Sequence, residues 1–226
     1  MTTVVVVAGG DPVAPATRRL LPADAPVVAA DSGLDVATGL GLEVTLVVGD
    51  LDSVSPARLR AARERGATIE EHPAAKDATD LALALDAAAR MAPDRVVVVG
   101  GHGGRLDHFL GNVLLLAAPE YARIKLEAHM GDAHLHVVRD QCELTGEPGE
   151  LVSLLPVHGP VRRVVTDGLL YPLTGEDLPP GSTRGVSNEF ARPDARVEIA
   201  AGVLLAVQPG VLGTHLRHTD PGAPTP

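Results

Sequence analysis

The residues best equipped for chemistry are Asp50 and Asp52, in Gly49-Asp50-Leu51-Asp52-Ser53, directly after the apolar run Val44-Thr45-Leu46-Val47-Val48. Read as an extended segment, this spacing puts both carboxylates on one face, roughly 6–7 Å apart at Cβ, with no basic residue between them. Such a pair calls for a hard divalent cation. Mg²⁺ binds through one or two carboxylates together with substrate phosphate oxygens. The same residues have the composition of a plain turn. Their place at the end of a strand, where open α/β sheets bind ligands, favours a site.

Two further clusters bear on the same chemistry. Lys76-Asp77-Ala78-Thr79-Asp80 opens a helix carrying Leu81 and Leu85. Asp77 as an N-cap and Asp80 in the first turn would be structural. In the functional reading Asp77 and Asp80 share a helix face, and Lys76 and Thr79 stand at an N-terminus suited to phosphate. Gly100-Gly101-His102-Gly103-Gly104-Arg105-Leu106-Asp107-His108 follows the run Val96 to Val99. Its glycines admit a ligand close to the backbone, and Arg105 can fork onto a phosphate. The turn fits neither the dinucleotide fingerprint nor a phosphate loop ending in Gly-Lys-Ser/Thr. Asp107 can equally be an N-cap and His108 a surface histidine. His129, His134 and His136 have no third ligand at motif spacing and are read as no metal site.

The elements that must position these residues follow from periodicity. Val4–Val7, Val27–Ala30, Val44–Val48 and Arg95–Val99 read as strands alternating with helical patterns, which implies βαβ units around a mostly parallel sheet. Ser55-Pro56 supplies an N-cap and a first-turn proline for a helix through Arg58–Glu64, stopped at Gly66. Leu81, Leu85 and Ala88-Ala89 mark a second buried helical stripe, and Leu106 to Ala118 a third helix, ended by Pro119. After about Asp140 brief strands at Leu151–Leu155, Val161–Val165, Arg196–Ile199 and Val203–Val207 are separated by Gly/Pro turns. That texture predicts an all-β module, a small sandwich or barrel. The expected organisation is an α/β domain over 1–140, a β-sandwich-like domain over 141–218 and a disordered tail over 219–226.

Composition narrows the function. The 226 residues carry a formal net charge of -10, and the only lysines are Lys76 and Lys125. This excludes a general nucleic-acid surface, which rests on clustered Lys and Arg, and an aromatic content of 2% removes base-stacking platforms. Phosphate contacts must fall mainly to arginine, backbone N–H groups and metal. No apolar run approaches a membrane span and no basic leader precedes Val4, so a cytoplasmic protein that spans no membrane is expected. Cys142, the only cysteine, reads as an inert core residue.

Taken in order, Ala30-Asp31-Ser32-Gly33, the Asp50/Asp52 motif, Lys76 to Asp80, Gly100 to His108 with Asn112, Thr166-Asp167-Gly168-Leu169-Leu170-Tyr171-Pro172-Leu173 and Gly185-Val186-Ser187-Asn188-Glu189 resemble the thiamine pyrophosphokinase family. The resemblance implies an α/β catalytic domain followed by a C-terminal β-sandwich, in a homodimer with active sites at the interface. It implies transfer of a diphosphate from ATP, as co-substrate, to the hydroxyl of thiamine, releasing AMP. By the same resemblance Asp50, Asp52 and Asp80 would hold Mg²⁺. Asp31, Ser53, Lys76, Asp77, Thr79, Arg105 and Asp107 would line the nucleotide and catalytic region. Ser187 and Asn188 would contribute to the thiamine pocket. On chemical grounds, apart from the resemblance, a nearby carboxylate, Asp77 or Asp31, is expected to help take the hydroxyl proton. The chain has no tryptophan, which some members stack on thiamine beside the Ser-Asn motif, and Phe190 is the expected substitute. The rival readings are a diphosphokinase of the same architecture acting on another alcohol such as a hydroxymethylpterin, a non-catalytic nucleotide sensor, and a metal-dependent phosphohydrolase.

Overall fold

In the computed structural model, which describes residues 1–75 and 77–210, the chain divides into two units. The first comprises Met1–Leu115 and Arg123–Gly131, the second Leu116–Ala122 and the residues from Asp132 onward. Lys76 and the 219–226 tail of the sequence reading lie outside the described residues.

In the first unit six parallel strands, β1 (Thr3–Ala8), β2 (Val27–Ala30), β3 (Leu46–Gly49), β4 (Thr68–Glu71), β5 (Arg95–Val99) and β6 (Lys125–Met130), stand in the order β4-β3-β2-β1-β5-β6. Val5, Val6, Val47, Val97 and Val98 are wholly buried, as expected of strands covered on both faces. Helices α1 (Gly33–Gly39), α2 (Pro56–Glu64), α3 (Asp80–Arg90) and α4 (Leu106–Leu116) complete the α/β pattern. The Ser55 hydroxyl accepts from the Arg58 N–H at 3.4 Å with Pro56 at the first helical position, so α2 starts where the sequence indicates. Two edges of the reading move. β4 escapes the sequence pattern because Thr68-Ile69-Glu70-Glu71 lies at the sheet edge, where charged residues stay in water. The N-cap of α3 is Thr79, whose hydroxyl accepts from the Ala82 N–H at 3.3 Å. Asp77 therefore precedes the helix, and the expected helix face shared by Asp77 and Asp80 does not form.

The second unit is antiparallel: β7 (Ala133–Val138), β8 (Gln141–Thr145), β9 (Leu151–Asp167), β10 (Thr174–Leu178), β11 (Asn188–Glu189), β12 (Asp194–Glu198) and β13 (Ala201–Gln208). β9 organises it. Its first half pairs with β11 and β13, and its second half with β10 and β12, so what the sequence presents as two strands is one bent strand of 17 residues. Positive φ at His158 and Gly159 accompanies the change of partners. Leu144, Val152, Leu154, Val161, Leu173, Phe190 and Leu204 close one apolar core, to which Cys142 also belongs. The expected class, a mostly parallel α/β domain followed by an all-β domain, is the one observed.

Candidate active site

Strand order alone locates the site. β1 sits centrally, the chain running from it to β2 and β3 on one side and to β5 on the other, so a crevice opens at the carboxyl ends of β1 and β5. A cleft of about 510 Å³ lies there, lined by residues following β1 (Gly9, Gly10), β2 (Asp31, Ser32), β3 (Asp50, Asp52, Ser53) and β5 (Gly101 to Arg105), with Thr79, Asp80, His108 and Asn112 from the helices. Glycine is required where the turns interlock. A Cβ at Gly10, whose φ is +134°, would stand 2.3 Å from the His102 carbonyl oxygen, and one at Gly100, with φ +84°, equally close to that of Ala8. A hollow of about 550 Å³ between α1 and α2, lined by Leu34, Leu42, Val44, Arg58 and Arg65 among others, holds none of these groups.

The carboxylates meet by a route other than strand alternation. β3 ends at Gly49, and Leu51 adopts φ +62°, so Asp50-Leu51-Asp52 is a turn rather than an extended segment. Leu51 is buried against Val47, Val54 and Leu34, and pulling that side chain into the core leaves Asp50 and Asp52 on the cleft. Oxygens of Asp31, Asp50 and Asp52 lie within 4.8 Å of one another. Asp80 stands beside them, since a Cβ at Gly49 would come 3.0 Å from its Oδ1 and 3.1 Å from the Asp31 Cβ. Asp31 is 7% exposed, and its Oδ1 is buried without a hydrogen-bond partner. Burial pushes its carboxyl above the usual range; the Ser32 N–H and the neighbouring Ser53 hydroxyl dipole oppose this, and the charges of Asp80 and Asp50 reinforce it. A buried oxygen without a donor, converging with two further carboxylates, makes a hard, all-oxygen set that suits Mg²⁺. Ser53 donates to Asp52 Oδ1 at 2.9 Å.

Across β1 the glycine turn is fixed by Asn112, whose amide donates to the Gly101 carbonyl at 2.9 Å, and by Asp11, whose N–H donates to the His102 carbonyl at 2.9 Å. Arg105 lines the cleft and is held by Asp107 through Nε to Oδ1 at 3.2 Å and Nη2 to Oδ2 at 2.6 Å. The guanidinium holds the Asp107 carboxyl down at about 2. Asp107 lies in the first turn of α4 rather than at its cap, and neither it nor Asp77 belongs to the lining. Gly9, Gly10, His102, His108 and Asn112 join the cleft without having been singled out as site residues. The Gly9-Gly10 pair directly after an apolar run was the available clue.

Ser187 and Asn188 belong to the second unit. Ser187 is exposed with φ +56°, and its N–H donates to the Ser153 hydroxyl at 3.1 Å. Asn188 is 2% exposed. Phe190 is 1% exposed and part of the core, so it cannot present a ring to a ligand, which corrects the expectation that it stands in for a tryptophan.

A parallel sheet whose switch crevice gathers carboxylates on one side of its central strand, and a glycine turn with an arginine on the other, defines a nucleotide-dependent transferase of phosphoryl-type groups. The family models for the thiamin pyrophosphokinase catalytic domain and the thiamin pyrophosphokinase vitamin B1 binding domain match residues 17–128 and 136–204. The chain belongs to the thiamine pyrophosphokinase family, and is an ATP-dependent diphosphotransferase by class. A thiamine pyrophosphokinase of Bacillus subtilis is 28% identical over 191 residues, covering 80% of this chain and 86% of the relative. The crystal structure of thiamine pyrophosphokinase from Bacillus subtilis superposes with a TM-score of 0.81 at 27% identity, over 92% of this chain and 99% of that one. The thiamin pyrophosphokinase of Candida albicans, at 12% identity, shares the fold with a TM-score of 0.74 over 92% of this chain and 89% of its own. Nothing in these likenesses points to a pterin acceptor or a non-catalytic sensor.

Proposed function

We propose that this chain transfers a diphosphate from ATP to the hydroxyl of thiamine, giving thiamine diphosphate and AMP, with Mg²⁺ as the metal. The observation that carries the reading is the convergence of Asp31, Asp50 and Asp52 oxygens within 4.8 Å in the same cleft as Arg105. Asp50 and Asp52 would hold the ion with Asp31 as third donor, and Asp80 adds charge behind Gly49. Bound there, Mg²⁺ supplies neutralisation of the triphosphate charge. Arg105 forks onto phosphate oxygens once it leaves Asp107, and Ser53, Thr79 and the backbone of the glycine turn orient the chain of phosphates. Diphosphate transfer asks the protein mainly for alignment and charge stabilisation; the proton released by the thiamine hydroxyl would pass to Asp31, the one of the two expected bases that lines the cleft, or to solvent, and Asp77, outside the lining, is assigned no such role.

The acceptor is assigned to the second unit and the nucleotide to the first, in a cytoplasmic homodimer with active sites at the subunit interface. No helix among the described residues is long and apolar enough to cross a membrane. Tyr171, 51% exposed and close to the Ser187-Asn188 turn, is the ring available to an aromatic acceptor in place of Phe190. The test is incubation of the purified protein with ATP, Mg²⁺ and thiamine, following AMP and thiamine diphosphate by mass spectrometry. Equal, metal-dependent amounts of both are expected. Phosphate or diphosphate release without thiamine would favour a hydrolase, and intact ATP throughout would reject the assignment. Asp50→Asn is expected to lower kcat by about 10²-fold or more.

A further inference from the structure

Asn188 has little capacity left for a ligand. Its Oδ1 accepts the Tyr171 N–H at 3.0 Å and the Glu189 N–H at 2.9 Å, and its Nδ2 donates to the Tyr171 carbonyl at 2.8 Å. An asparagine amide offers two acceptor sites and two donors, so three of its four bonds are made to backbone. The residue is 2% exposed. Because Oδ1 faces two N–H groups and Nδ2 a carbonyl, the amide orientation is fixed.

The group it grips is unusual in this chain. Of four Phe and Tyr rings, Phe190 and Tyr121 are buried and Phe109 is half-buried, which leaves Tyr171 as the exposed one. Tyr171 is followed by Pro172, which has no N–H, and the neighbouring strand-like contacts run to Leu170, whose N–H donates to the Glu189 carbonyl at 2.8 Å, and to Leu169 opposite Phe190. Both main-chain polar groups of Tyr171 are taken by the one side-chain amide, which closes a bridge of the kind two antiparallel strands make with each other. A backbone held so sets the direction of the Tyr171 Cα–Cβ bond, which limits the ring to the few staggered rotamers that start from it.

We infer that Asn188 is a positioning residue that acts on the acceptor through Tyr171, by fixing the backbone that aims its ring, rather than by touching the acceptor itself. The inference rests on the acceptor assignment above. It is tested by a double-mutant cycle in the full chain, comparing wild type, Asn188→Ala, Tyr171→Ala and the double variant, with backbone amide exchange of Tyr171 followed by NMR. Asn188→Ala should raise the KM for thiamine about tenfold, because the acceptor must then order the Tyr171 segment on binding, with kcat and the KM for ATP within about twofold. In the Tyr171→Ala background the same change should add nothing. Exchange at Tyr171 should accelerate in Asn188→Ala to the rate of an open loop. An equal increase in thiamine KM in both backgrounds would overturn the inference, as would unchanged exchange. Should Asn188→Ala fail to fold, Asn188→Asp, which keeps both acceptor contacts but sets an oxygen against the Tyr171 carbonyl, must give the same pattern or the inference falls. Absence of thiamine turnover in wild type would instead reject the acceptor assignment, while the exchange measurement, which needs no substrate, separately decides whether Asn188 holds Tyr171.

Discussion

Asp31 combines the two properties that separate a working carboxylate from a surface one: it is buried and it faces like charge. Its raised pKa means the folded state holds its proton more tightly than the unfolded chain. The stability linked to this group therefore falls as pH rises above 3.8 through the raised value, so the group costs the fold more at neutral pH than in acid. Asp31→Asn should accordingly melt above wild type at pH 7 in chelator, by about 2–4 °C for each kcal/mol relieved in a chain of this size, while losing activity. A scanning calorimetry trace with the variant below wild type would refute that cost. Asp107 shows the opposite displacement. Held at about 2 by Arg105, it keeps its charge well below the ordinary carboxylate range; the stability linked to the pair is lost as pH falls below 3.8, and the pair itself loses its charge only as pH falls through about 2. Carboxyl NMR should find a midpoint at about 2 for Asp107, returning toward 3.8 in Arg105→Ala. A shift in the same direction on adding ATP with Mg²⁺ would report Arg105 leaving for phosphate.

At the scale of elements, position outweighs residue type. Phe190 and Tyr171 are both aromatic and both near Asn188, yet one fills the core and the other faces water. Phe190→Ala should cost about 3–5 kcal/mol in denaturant unfolding, whereas Tyr171→Ala should stay within about 0.5 kcal/mol of wild type. A selective loss of thiamine binding from Phe190→Leu at unchanged stability would contradict this division. The elements themselves were legible to different degrees. Val4–Val7, Val27–Ala30 and Arg95–Val99 stand out because strands buried on both faces read as apolar runs. β4 does not, since an edge strand need not be apolar, and the bend that makes β9 one strand depends on partners distant in sequence.

For the whole molecule, net charge and assembly are the properties at issue. A chain of formal charge -10 that gathers Asp31, Asp50, Asp52 and Asp80 at one crevice has a concentrated negative field, which favours cations and steers anions away until metal accompanies them. Free ATP should therefore bind far more weakly than ATP with Mg²⁺, a comparison for titration calorimetry. If the active sites lie at a subunit interface, sedimentation equilibrium should give twice the 23.3 kDa chain mass at concentrations where the enzyme is active. A monomer with full turnover would remove the dimer from the function.

The sequence by itself determined the class of each domain and the kind of chemistry, because hydrophobic period, turn residues and carboxylates beside strand ends are local properties. It also held the order of motifs on which the family likeness rests. Only the tertiary structure decided which of these residues meet. Leu51 turns inward and so leaves Asp50 and Asp52 on the cleft with Asp31, while Thr79 takes the cap that would have drawn Asp77 into the helix. Asn188 spends its amide on Tyr171 rather than on solvent. Each outcome is set by packing and by hydrogen-bond partners brought together from separate stretches of the chain, and no pattern along the chain records them.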